Sequence, residues 1–472
     1  MLLIGSDIKT NSIIKLSRED RKQGTYIVGV NGTGKTVLLI NAILSDAEAG
    51  DGLCFLDPHG DAVETILTLL PEHRKNDIIL FDPSDYENPF GLNLFECKNL
   101  DDPKEVDLIC SEIVGTFKKL YRDSWGPRLE DILRHSILPV INCQGLTLLD
   151  HLLVLSSPIY RRRVLEKIKD PLIHNYWDNI FPFEPKEIKE WLASSYNKIG
   201  RFLANPLIRN IVSQPKSSFD LRKIMDEGKI LLVNLSKGKI GEDNSILLGS
   251  VLVGKILIAA LSRADILEEK RKPFHLIVDE YQSFATESFP ILQSEARKYR
   301  IDTMVAHQYR DQVDSLNKGS TLNVGNFILF RITGKDSLEL SLQFDNTPPE
   351  PESKPEPVLH RTSQKGVFRT GDSSEFIIGK GNARLYSDVS QEMANKLSNL
   401  PNYQCWCKLV KDGQLEEFHI KTLPLPDRIN SNQAKEIKNN SKKLGRKRAD
   451  VEEAINKKFG TAEILTGPRD FE

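Results

Sequence analysis

Residues Gly29-Val30-Asn31-Gly32-Thr33-Gly34-Lys35-Thr36 match the pattern G-x-x-x-x-G-K-[ST] at every position. The β-rich run Thr25-Tyr26-Ile27-Val28 precedes them, and Val37-Leu38-Leu39-Ile40-Asn41-Ala42-Ile43-Leu44 follows as a helix. Strand, glycine-rich loop and helix in this order build an anion cradle. The glycines let backbone N–H groups curl around a phosphate, and the helix N-terminus adds a positive dipole end. Gly29 to Val37 would then line a bound ATP. Within that stretch Lys35 neutralises the β- and γ-phosphates and the Thr36 hydroxyl ligates Mg²⁺.

The rest of the chain supplies the sheet that such a loop requires. Gly52-Leu53-Cys54-Phe55-Leu56-Asp57 and Ile78-Ile79-Leu80-Phe81 read as buried strands ending in acidic turns, and helices alternate with them. That alternation predicts an α/β fold with a mainly parallel sheet. From residue 99 the strand signals stop, and helical spacing runs through 106–121, 129–142, 146–155, 160–169 and 186–204. Strands resume at 229–235, 274–280, 301–308 and 326–331. We therefore expect a nucleotide-binding domain in two parts, 1–98 and 226–425, split by an all-α insertion at 99–225. The Pro/Glu-rich stretch 346–364 reads as an extended loop, the segment 374–420 as a short strand-bearing close, and 426–472 as a flexible basic tail in which Asp450 to Ile455 reads as a short helix.

Phe274-His275-Leu276-Ile277-Val278-Asp279-Glu280 is an apolar strand ending in two acids. Beside a phosphate loop, the first acid, Asp279, holds Mg²⁺ and the second, Glu280, polarises the attacking water. A glutamate in second place separates hydrolysing motors from nucleotide-binding switches. Gln308, at the end of the strand Thr303-Met304-Val305-Ala306-His307, is placed to sense the γ-phosphate or orient water. Arg297 lies at a helix end between the two motifs. It is either a cation for a neighbour's phosphates or a partner for the helix C-terminal dipole.

Composition restricts the partners. With net charge −2 and pI near 6.5, no global basic field draws the chain to nucleic acid. DNA contact would rest on local patches, of which the C-terminal Lys442, Lys443, Arg446, Lys447 and Arg448 are the candidates; a solvated tail is the plainer reading. The six cysteines are scattered, and Cys405-Trp406-Cys407 reads as a strand with two small apolar side chains on one face, in keeping with a reducing cytoplasm. The opening Met1-Leu2-Leu3-Ile4-Gly5 is too short for a signal peptide. The apolar run Ile246 to Leu261 carries Lys255 and reads as a buried helix, so no membrane span is expected.

The phosphate loop, Leu56-Asp57-Pro58-His59-Gly60-Asp61, Val278-Asp279-Glu280-Tyr281-Gln282-Ser283-Phe284, Ala296-Arg297-Lys298-Tyr299 and Ala306-His307-Gln308-Tyr309 occur here in one order. In this the chain resembles the type IV secretion coupling proteins, the TraG/TraD-like conjugative DNA-transfer ATPases of the HerA/FtsK superfamily of P-loop ATPases. The resemblance covers roughly residues 1–345 and implies a RecA-like motor, assembled as a homo-hexameric ring, that moves DNA through a central pore. It implies that Lys35, Glu280, Gln308 and Arg297 carry catalysis, with Arg297 reaching the neighbouring subunit's nucleotide. Many coupling proteins begin with transmembrane helices. Lacking such a segment, this chain would be cytoplasmic, or peripheral at the inner membrane face through a separate anchor, with a relaxase-bound nucleoprotein as cargo. Rival readings are a HerA-like DNA-processing translocase, a protein-secretion ATPase, and a nucleotide-gated docking platform with little turnover.

Overall fold

Strands β1 (Leu2–Asp7), β2 (Ile13–Leu16), β3 (Thr25–Val28), β4 (Gly52–Asp57), β5 (Ile78–Phe81), β6 (Ile230–Asn234), β7 (Phe274–Val278), β8 (Ile301–His307), β9 (Asn326–Leu329), β10 (Gln404–Lys411) and β11 (Gln414–Thr422) form one sheet in a computed structural model. It describes residues 1–182, 185–344 and 386–466. The stretch 346–364, expected to be an extended loop, lies outside the described residues, as does the start of the 374–420 segment. The strand order is β2-β1-β11-β10-β9-β3-β8-β7-β4-β6-β5. From β9 to β5 every pairing is parallel. β10, β11, β1 and β2 extend the sheet beyond β9 by antiparallel pairing. The expected α/β class with a mainly parallel sheet is the fold observed.

Residues of β3, β4, β6, β7, β8 and β9 are buried throughout. Both faces of a parallel sheet are covered, so its strands read as continuous apolar runs. On one face Leu53 and Phe55 pack with the helices Lys35–Glu48 and Asp61–Leu69. On the other, Cys54 and Leu56 join a core that contains the helix Glu242–Leu261 and the helices inserted between β5 and β6. Glu242–Asp265 has the length and mean hydropathy, 2.1, of a membrane span, but 72% of that window is buried inside the protein. Cys405 and Cys407 share one buried face of β10, as the strand reading required.

The inserted helices announce themselves by local chemistry. Pro103, Pro127, Pro158, Pro171 and Pro206 each open a helix, where the missing N–H costs nothing. Asp102, Ser157, Asp170 and Asn205 cap four of these helices with side-chain oxygens.

The C-terminal segment contains the short helix expected at 450–455, within a longer one, but corrects the flexible tail expected around it. Ser431–Lys442 and Arg448–Thr466 are helices, and each buries an apolar stripe: Ala434 and Ile437 in the first, Val451 and Ile455 in the second. The first runs along β5, where Ser441 Oγ accepts the Leu80 N–H at 2.9 Å and so satisfies a donor on the sheet's outer edge. Lys438 pairs with Glu64 at 2.5 Å. The second helix reaches the insertion, where Lys458 pairs with the buried Asp150 at 2.5 Å. Burial of these stripes outweighs the basic composition that suggested a solvated tail.

At the end of the sheet away from the phosphate loop, buried charges neutralise one another. Arg21 sits 2.5 Å from Asp46 and 3.5 Å from Asp302. His275 contacts Asp302 at 2.6 Å, Asp51 at 3.3 Å and Asp46 at 3.7 Å. Burial and Arg21 press the imidazolium toward losing its proton, but the aspartates prevail and raise its pKa from 6.5 to about 9. A raised folded-state pKa stabilises fully below the unfolded value and is lost as pH rises through the folded one. Thermal unfolding should therefore show stability falling between pH 7 and about 9. His275→Gln should flatten that limb and cost about 3–5 kcal/mol at pH 7, because it leaves buried aspartates under-compensated.

Candidate active site

β3 delivers the chain into the glycine loop at the C-terminal edge of the sheet, and the helix Lys35–Glu48 begins immediately after it. Gly34 is that helix's N-cap at φ 114°, and Gly32 has φ 75°. These are left-handed conformations that side chains with a Cβ avoid. A Cβ on Gly34 would also stand 3.0 Å from Tyr403 Cδ1 and 3.3 Å from Phe330 Cε1. Lys35 turns back over the loop, and its Nζ donates to the Gly29 and Val30 carbonyls at 2.6 and 3.3 Å. Burial lowers its pKa while Asp279 and Glu280 oppose the shift.

The residues present fit a nucleotide phosphate and Mg²⁺. Among the described residues, the buried Lys35 ammonium hydrogen-bonds two neutral carbonyls and feels Asp279 and Glu280 by charge without a direct ion pair, so it can take up an anion. The first N–H groups of the helix have no intrahelical acceptor. Thr36 is exposed and Val37 half-buried, so the hydroxyl and the helix start are open to a ligand.

The acids come from β7. Asp279 and Glu280 are 5% and 6% exposed, and Glu280 adopts φ 46°, a conformation uncommon for a glutamate. The Glu280 N–H donates to Asp279 Oδ1 at 2.9 Å, which fixes the two carboxylates relative to each other. Gln308 Nε2 donates to Glu280 Oε1 at 2.8 Å, and Gln282 Nε2 to Oε2 at 2.5 Å. His59 Nε2 lies 4.0 Å from Oε1, close enough to act by charge but beyond direct hydrogen bonding. Burial works to raise the Glu280 pKa, but His59, Gln308, Gln282 and Lys35 prevail and bring it to about 2. Burial, the Glu280 charge and Asp57 push Asp279 up to about 6. The environment thus pushes the two carboxyl groups apart, Glu280 below and Asp279 above the ordinary carboxylate range.

Lys35, Asp279, Glu280 and Gln308 are thus brought together as expected. Arg297 is not. It stands exposed on the short turn Ala296–Tyr299 ahead of β8, whereas Gln308 follows that strand. The roughly 20 Å length of β8 lies between them. Asp57 accepts the His59 and Val63 N–H groups at 2.9 and 3.0 Å, and so shapes the turn that carries His59. The basic C-terminal residues stand elsewhere: Lys442 pairs with Asp85 at 3.3 Å, and Arg448 with Glu87 at 3.0 Å and Glu452 at 3.2 Å. Lys443 donates to Asn440 Oδ1 at 3.0 Å, and the Arg446 N–H to the Pro89 carbonyl.

Several supporting residues escape sequence reasoning. Lys119, on the inserted helix Pro103–Leu120, donates to the Gln282 and Ala285 carbonyls at 2.7 Å each, tying the insertion to the segment after Glu280. Tyr281 Oη donates to Asn317 Oδ1 at 2.8 Å. His307 is held neutral by burial; its Nδ1 donates to the Tyr309 carbonyl and its Nε2 accepts from Tyr26 Oη at 2.6 Å. Tyr281 and His307 lie within the quoted motifs but their partners are not readable from them, and Lys119 carries no sequence signal.

No protein-family model matches the chain, and no curated protein matches it in sequence. Solved structures do match in fold. The bacterial conjugative coupling protein TrwB, in its unbound form, superposes with a TM-score of 0.55 at 15% identity, over 92% of this chain and 91% of that one. TrwB in complex with ADP and Mg²⁺ gives 0.57 at 14%, over 89% and 90%. VirB4 of Thermoanaerobacter pseudethanolicus gives 0.52 at 12%, over 92% and 98%. The chain therefore shares the fold of TrwB and VirB4, a mostly parallel sheet with a helical domain inserted.

Gly34→Ala should test the cradle. It sets a Cβ against Tyr403 and Phe330 and forces a left-handed alanine, at an expected cost of about 1–3 kcal/mol. Calorimetric titration with ADP should show binding lost while far-UV circular dichroism is retained.

Proposed function

We propose that the chain is a Mg²⁺-dependent ATPase that couples hydrolysis to DNA movement in conjugative transfer or type IV secretion. The observation that carries the hydrolytic part is the Glu280 carboxylate, ionised and held by Gln308 at 2.8 Å beside Lys35 and Asp279. A docking platform needs no such base. Mg²⁺, when held by Thr36 and Asp279, supplies charge neutralisation at the phosphates. Lys35 exchanges its two carbonyl contacts for phosphate oxygens, Glu280 accepts a proton from the attacking water, and Gln308 orients Glu280 and reports on the γ-phosphate through β8. Arg297, exposed and a strand length from Gln308 in its own chain, is assigned in this reading to a neighbouring subunit's nucleotide, in a closed ring with sites at its interfaces. The motif order and the TrwB-like fold support DNA as cargo.

A rival is a protein-moving ATPase on the same fold. What favours it is that Lys442 and Arg448, the candidate DNA contacts, already have acid partners.

Steady-state ATP hydrolysis by the purified chain, with and without single- and double-stranded DNA, discriminates these. We expect DNA stimulation that weakens with salt. Glu280→Gln should lower turnover at least about 10²-fold with ADP binding intact. Hydrolysis indifferent to DNA would instead favour protein cargo, and none at all the platform. Arg297→Ala should lower turnover only under conditions where subunits assemble, and mixing it with Lys35→Ala subunits should restore part of the rate at mixed interfaces.

A further inference from the structure

Tyr403 precedes β10, and its backbone is clamped on two sides. Its N–H donates to the Thr33 carbonyl of the phosphate loop at 2.7 Å, and its own carbonyl accepts the Thr422 N–H at 2.9 Å and Thr422 Oγ1 at 3.3 Å. The residue is held at φ 63°, in the left-handed region that a bulky aromatic avoids. Strain of this kind persists only where surrounding contacts enforce it, and it gathers at ligand sites. The ring is set against the Gly34 backbone beside Phe330. Phe330 is fully buried, whereas Tyr403 is 48% exposed. An aromatic ring is thus fixed at the rim of the phosphate cradle with open surface.

The side on which it stands matters. β3 lies between β8 and β9. β8 leads to Gln308 and, beyond it, β7 leads to Glu280, so the γ-phosphate end of a nucleotide belongs on that flank. The nucleoside must leave the loop by the other flank, past the exposed Thr36 and half-buried Val37, toward β9 and β10. Tyr403 stands at the start of β10. We propose that its ring is the stacking platform for the nucleotide base. This rests on the ATPase reading and adds to it the residue that distinguishes a nucleotide from a bare polyphosphate. Stacking on one ring reads a π-face rather than a hydrogen-bond pattern, so adenine and guanine nucleotides should bind with similar affinity.

Calorimetric titration of the full chain with ADP, GDP and inorganic tripolyphosphate tests this, comparing wild type, Tyr403→Phe and Tyr403→Gly. Glycine accepts φ 63° without strain, so the Tyr403→Gly variant should unfold at a temperature no lower than wild type. Its ADP and GDP affinities should fall about five- to hundredfold while tripolyphosphate affinity is unchanged. Tyr403→Phe should bind all three as wild type does. Unchanged ADP affinity in Tyr403→Gly overturns the inference. So does a parallel loss of ADP and tripolyphosphate, which would make the ring a prop for the loop. A wild-type chain that binds tripolyphosphate and neither nucleotide would overturn the ATPase reading itself.

Discussion

β8 runs parallel between β3 and β7, and the spacing within the site follows from that arrangement. Val28 pairs with His307 on one side, and Val278 with Val305 on the other. Lys35, Gln308 and Glu280 therefore leave neighbouring strand ends at nearly the same height, about 4.8 Å apart per strand. Gln308 reaches Glu280 because it grows from the strand between the one that leads to Glu280 and the one that leads to the glycine loop. A one-residue slip of β8 would invert its faces and turn Gln308 away.

The two ends of this sheet treat charge in opposite ways. At one, Arg21 and His275 are matched against Asp46, Asp51 and Asp302, and the cluster is closed and buried. At the other, Asp57, Asp279 and Glu280 face Lys35 and a partly exposed His59, leaving an excess of negative charge. Such an excess is tolerable only where a cation arrives with the ligand. The contrast separates an ionic cluster that holds the fold from one that awaits a partner.

Where the candidate residues are contiguous, their placement is legible in the sequence. The glycine loop and the two acids after an apolar strand each stand out within eight positions, and the helical insertion is marked by prolines behind capping side chains. Lys119 and Tyr403 were not readable, because each acts on backbone far away in the chain: Lys119 on Gln282 and Ala285, Tyr403 on Thr33. No spacing rule connects them. In the C-terminal segment only 450–455 declares itself as helical; Ser431–Lys442 and the full length of Arg448–Thr466 are masked for another reason. Lysines and arginines dominate the composition there, yet Ala434, Ile437 and Ser441, and then Val451 and Ile455, repeat at helical intervals along one face. The periodicity was present under the charge.

Those helices have a consequence for how the protein is made. Ser431–Lys442 seals the outer edge of β5, a strand translated some 350 residues earlier. β11 likewise joins β10 to the early β1. During synthesis, then, the sheet's first strands emerge long before the segments that cover or complete them. A nascent chain would carry an unpaired edge through most of its translation, with the inserted helices folding first and the sheet closing last. Vulnerability to mispairing is concentrated in that interval, before the chain has a sheet on which to mount the glycine loop and the acids beside it.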